Sequence, residues 1–205
     1  RCDTLPVDAS ERIRWRRSVL QVLVYSDYDE MSAAAARMIA SKIGELPKPV
    51  LGLATGSTPI GMYAELVRLH NEEGLDFSNV TTFNLDEYCG VDAEDPRSYH
   101  WFMKEHLFSH VNLDPEKAHV PAGNSADPDG ECARYERLIK EAGGIDLQVL
   151  GIGMNGHIGF NEPGSDPNSR TRVVRLAEQT IEVNRAKGGL NALPGYAISM
   201  GIGTI

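Results

Sequence analysis

Short apolar runs of strand length alternate along this chain with longer stretches whose apolar residues recur at helical spacing, and that alternation leaves few folds open. Residues 20–25 read as a strand and 31–43 as a helix. Residues 50–54 read as a strand followed by a helix that Thr58 caps, Pro59 opens and Gly74 closes. The pattern repeats with a strand over 80–85 and a helix over 96–111. A helix capped by Asp129 then runs to Ala142, ahead of a strand around Ile145, Leu147, Val149 and Leu150. Repeated strand–helix units of this size predict an α/β fold, doubly wound, with a mainly parallel sheet and helices on both faces. Ligands of such sheets bind beyond the carboxyl ends of the strands, which directs attention to the residues that follow each apolar run.

Three such stretches carry polar chemistry. After residues 50–54 comes Thr55-Gly56-Ser57-Thr58-Pro59, small and hydroxyl-bearing, at a helix start. The free amides and positive dipole end of a first helical turn favour an anion, and with no lysine in the loop a sugar monophosphate suits it better than a nucleoside triphosphate. An ordinary turn with a threonine cap is the other reading of that loop. After residues 80–85 come Asp86 and Glu87, whose side chains leave a strand on opposite sides, so that one of them faces the crevice. After the strand that ends at Leu150 comes a loop holding Asn155, His157, Asn161 and Glu162, with histidine and carboxylate as the usual acids and bases. The same loop spells Gly151-x-Gly153-x-x-Gly156, yet Pro163 and Gly164 follow too soon for the helix that a dinucleotide fingerprint needs.

Composition narrows the partners. The 205 residues are 41% hydrophobic, enough for one core, and their net charge of -9 and pI near 5.1 disfavour nucleic acid and anionic membranes. A small anionic substrate in a locally positive pocket remains compatible. Cys2, Cys89 and Cys132 form no disulfide or zinc pattern, and His70, His100, His106, His110, His119 and His157 lack metal-ligand spacing. No metal or cofactor is expected, and reduced, cytoplasmic surroundings are the default. Residues 1–19 hold five arginines without apolar periodicity and read as an appendage to a domain over 20–205. Residues 197–205 read as a strand leading onward, so the domain is expected to continue past Ile205.

Taken together, the motifs at 51–59, 83–88 (Phe-Asn-Leu-Asp-Glu-Tyr), 151–163 and 169–172 (Ser-Arg-Thr-Arg) resemble the glucosamine-6-phosphate deaminases, over roughly residues 20–205. The related 6-phosphogluconolactonases share the fold and the glycine-rich loop but not the Asp-Glu-Tyr and Gly-His-Ile-x-Phe-Asn-Glu-Pro strings. The resemblance implies conversion of glucosamine 6-phosphate and water to fructose 6-phosphate and ammonium, with no redox, metal or pyridoxal cofactor. It implies Asp86 as the enolisation base, His157 with Glu162 for ring opening, and Thr55, Gly56, Ser57 and Thr58 as the phosphate loop. Asn155 stands where many relatives have aspartate, so it hydrogen-bonds rather than acts as a base. The family's Asn-x-Arg-Phe-Phe is replaced by Asn184-Arg185-Ala186-Lys187, so that the phosphate-binding arginine is either absent or shifted to Arg185. Val174 replaces a lysine of allosteric members, which speaks against activation by N-acetylglucosamine 6-phosphate. Oligomeric state is not legible. A sugar-phosphate-binding module without turnover and a lactonase are the other readings.

Overall fold

The computed structural model describes residues 20–177 and 195–205. Its elements are α1 (Tyr28–Glu45), β1 (Val50–Leu53), α2 (Ile60–Glu73), β2 (Thr81–Asn84), β3 (Asp86–Tyr88) and α3 (Tyr99–His106). They continue with β4 (Ala118–His119), α4 (Pro128–Glu141), β5 (Leu147–Gln148), β6 (Arg172–Arg175) and β7 (Tyr196–Ser199). Strands β4-β2-β1-β5 form one sheet, every pairing in it parallel. Side chains alternate across β1, so Leu51 and Leu53 pack with Ile39, Tyr63, Leu66 and Met103 of α1, α2 and α3. Val50 joins Phe83, Tyr135 and Ile139 on the α4 side. Burial of such side chains, about 1.5–3 kcal/mol each, is what holds helices to both faces. The doubly wound expectation is met.

The second sheet was not legible in the sequence. Strands β3-β7-β6 pair antiparallel, with Asp86 opposite Ser199 and Arg172 opposite Ser199 from the other side. The polypeptide crosses from the first sheet to the second at Leu85, whose amide donates to Leu53 O at 3.2 Å and whose carbonyl accepts from Met200 N at 2.8 Å. Asp86 therefore stands at the seam between the two sheets.

Several local expectations are corrected. Residues 20–25 form no strand and are exposed, because nothing among the described residues pairs with them and a strand is made by its neighbours' hydrogen bonds, not by its own pattern. The run around Leu147 is a two-residue, half-buried edge strand rather than one covered on both faces. Asp127, not Asp129, caps α4, its carboxylate accepting from Gly130 N at 3.0 Å with Pro128 at the first position. Thr58 makes no cap either: Pro59 occupies that position and makes no side-chain cap bond. The helix over 96–111 shortens to α3 with a 3-10 turn at Phe108–His110, and the strand over 197–205 stops at Ser199. Gly74 ends α2 as expected, with φ 75 and its amide bonded to Leu69 O.

Candidate active site

Parallel pairing sets the tips of β1 and β2 side by side, with Leu53 opposite Asn84. Beyond β1, Gly56 adopts φ 111, which favours glycine, and Gly56, Ser57 and Thr58 are exposed at the start of α2. Beyond β2 lies Asp86, only 7% exposed. Burial, and secondarily the charge of Glu87, raise its carboxyl to about 8. Glu87 points the other way, as alternation requires, into the start of α3. Its carboxylate accepts from Ser98 Oγ at 2.7 Å, Tyr99 N at 3.0 Å, His100 N at 3.0 Å and Tyr88 N at 2.8 Å. Burial pushes its pKa up, and these four bonds oppose the shift. Asp86 thus lies on the side of the Gly159 loop, where a Cβ on Gly159 would come within 3.3 Å of its Oδ2, while Glu87 anchors the strand at the start of α3.

The loop past β5 builds a relay of three side chains. Asn155 Nδ2 donates to Glu162 Oε2 at 2.7 Å, and Asn155 Oδ1 lies 2.7 Å from His157 Nδ1. Glu162 and His157 are themselves 3.8 Å apart. An ionised carboxylate only accepts, so the amide must turn its NH2 toward Glu162 and its oxygen toward the imidazole. That oxygen also only accepts. The proton of a neutral His157 is therefore held on Nδ1, and the Nε2 lone pair is left for a ligand. Asn155→Leu is expected to lower turnover about tenfold by freeing the tautomer; parent-level turnover in the variant would show that the relay does not control His157.

Glycines and β7 hold this loop in place. A side chain on Gly153 would put its Cβ 2.2 Å from His157 Nε2, and one on Gly159, at φ +57, would lie 3.3 Å from Asp86 Oδ2. Phe160 N donates to Ser199 Oγ at 3.1 Å, and Asn161 Nδ2 donates to Met200 O at 2.7 Å. Arg172 in turn donates to Asn161 Oδ1 at 2.8 Å. The Phe160 ring packs 5.8 Å from Tyr88 and 6.4 Å from Tyr99, whose hydroxyl donates to Tyr88 at 2.9 Å. The loop with His157 is thereby stapled against the strand with Asp86. Phe160, Ser199 and Tyr99 were missed by sequence reasoning, since their contacts join segments far apart in the chain. Among the described residues no helix follows Gly156, in line with the expectation from Pro163. Arg185 lies outside the described residues. Among those residues no group of three or more His, Cys, Asp or Glu converges as a metal site.

An exposed hydroxyl-rich turn at a helix start, a buried carboxylate and an imidazole relay thus meet at adjoining strand tips of an open α/β sheet, where such sheets bind their ligands. The family model for Glucosamine-6-phosphate isomerases/6-phosphogluconolactonase matches residues 26–180, and the chain belongs to that family. A glucosamine-6-phosphate deaminase of Halothermothrix orenii is 52% identical over 187 residues, 91% of this chain and 78% of that protein. One from Clostridioides difficile is 54% identical over 187 residues, covering 91% and 75%. A solved monomeric glucosamine-6-phosphate deaminase superposes with a TM-score of 0.89 at 49% identity, covering 91% of this chain and 78% of that one. A 6-phosphogluconolactonase from Thermotoga maritima, 19% identical with a TM-score of 0.66 and coverage of 88% and 76%, shares the fold.

Proposed function

We propose that the protein is a glucosamine-6-phosphate deaminase of amino-sugar catabolism, acting in the cytoplasm. The observation that supports the mechanism is the close meeting of the Asp86 strand and the His157 loop, where a Cβ on Gly159 would lie 3.3 Å from Asp86 Oδ2. The phosphate rests on the turn at Thr55, Gly56, Ser57 and Thr58, held by amides and hydroxyls. His157 Nε2 takes the proton of the sugar's anomeric hydroxyl and returns it to the ring oxygen as the bond from that oxygen to C1 breaks, giving the open aldehyde. Glu162, through Asn155, stabilises the imidazolium that forms between those two transfers. Asp86 then removes the proton on C2, and the electron pair moves into an enolamine. Delivery of a proton to C1 leaves an iminium at C2. Water adds there, and ammonia departs as the ketone forms.

Equal amounts of ammonium and fructose 6-phosphate formed from glucosamine 6-phosphate test this reading. The lactonase and the binding-module readings both predict no ammonium. The strong identity to deaminases favours the first reading, whereas the likeness to the Thermotoga maritima lactonase extends to the fold alone.

A further inference from the structure

The turn between β1 and α2 is held from outside by a residue of another helix. Tyr28, in the first turn of α1, donates its hydroxyl to Thr58 O at 2.9 Å, lies 3.3 Å from Ser57 O, and accepts from Gly61 N at 2.8 Å. Those three groups lie 29 to 33 residues further along the chain. They belong to the turn itself and to the start of the helix behind it. Pro59 at the start of α2 offers no side-chain acceptor, so the hydroxyl of Tyr28, accepting from Gly61 N, does the work a cap would do there. The packing around it is close: a Cβ on Gly61 would sit 2.6 Å from Ser32 Oγ and 2.9 Å from Tyr28 Cε1.

We propose that Tyr28 is a positioning residue for the phosphate site: its hydroxyl fixes the peptide units of Ser57, Thr58 and Gly61 so that the remaining donors of the turn converge on the anion. The argument rests on the reading of residues 55–58 as the phosphate loop. An exposed turn with a glycine at φ 111 has several backbone states of similar energy, and an anion bound by amides requires one of them. Donating to Thr58 O, with Ser57 O close beside it, while accepting from the Gly61 amide selects a single state. It also turns those carbonyl oxygens toward α1 and away from the phosphate, where they would repel it. Tyr28 therefore acts on affinity for the phosphate and has no part in moving protons at the sugar.

Tyr28→Phe removes the hydroxyl and keeps the ring. The parent protein and the variant are compared for the KM of glucosamine 6-phosphate, for kcat, and for the dissociation constant of inorganic phosphate by titration calorimetry. Loss of the hydroxyl's bonds is expected to weaken phosphate binding about 3–10-fold and to raise KM by a similar factor, the loss falling on KM far more than on kcat. Gly61→Ala is a second arm. Alanine favours the helix, yet its Cβ displaces Tyr28, so phosphate affinity should fall although helix propensity rises. A lower thermal midpoint with unchanged phosphate affinity in both variants would reduce Tyr28 to a packing residue and overturn the proposal. A parent that binds no phosphate would overturn it as well, whereas the deaminase reading is judged separately by ammonium release.

Discussion

Asp86→Asn is expected to lower turnover at least ~100-fold and, at the same time, to make the fold more stable at alkaline pH. The two effects share one cause. Burial raises the Asp86 carboxyl to about 8, with the charge of Glu87 adding to the shift. An unfolded aspartate ionises near 3.9, so between roughly pH 4 and 8 folding takes up a proton at this side chain. Stability therefore falls as pH rises through that window, by at most about 6 kcal/mol, and is level above it. Asparagine does not titrate, so the variant escapes this loss while losing the base. Urea unfolding at pH 5 and pH 9 measures the first effect, and ammonium release measures the second. A variant that is no more stable than the parent at pH 9, or that turns over near the parent rate, would contradict the assignment. The same pKa sets the activity profile: kcat/KM should climb about tenfold per pH unit below 8 and level off above it, because only ionised Asp86 can accept the C2 proton.

Gly153→Ala is expected to stop ring opening as completely as His157→Gln does. The added methyl would fall 2.2 Å from both Nε2 and Cε1 of His157, and the backbone behind it is fixed by Gly153 N donating to His157 O at 2.9 Å. The imidazole must leave its relay, and displacement of a general acid–base by an ångström or more costs about 100-fold in rate. The step affected is specific. Turnover of the cyclic sugar should collapse, while an acyclic analogue that needs no ring opening should keep most of its rate, and combining Gly153→Ala with His157→Gln should add little to either alone. Equal losses on cyclic and acyclic substrates would place His157 in a structural role.

The parts of this architecture that could be read from sequence are those encoded over short distances. The β1–turn–α2 unit is one, since apolar strand, glycine turn and helical face follow one another within a few residues. Asp86 with Glu87, and Asn155 with His157 and Glu162, are others, because alternation and loop position fix their neighbourhood locally. The sheet that pairs Asp86 with Ser199 could not be read: it joins residues more than a hundred apart, and neither strand's pattern names its partner. Tyr28 escaped notice for a related reason. Within α1 it resembles any tyrosine of a first helical turn, and its role exists only once α1 and α2 are packed. Residues 20–25 show the converse failure, a strand pattern in a segment that pairs with nothing among the described residues.

Incubation with glucosamine 6-phosphate in deuterated water, with ammonium and fructose 6-phosphate both quantified, tests the central claim most directly. Proton removal at C2 and delivery to C1 predicts one ammonium per fructose 6-phosphate, deuterium at C1 of the product, and neither signal from Asp86→Asn. Absence of ammonium from the parent protein, together with hydrolysis of 6-phosphogluconolactone, would contradict the account and assign the same fold to the lactonase reaction.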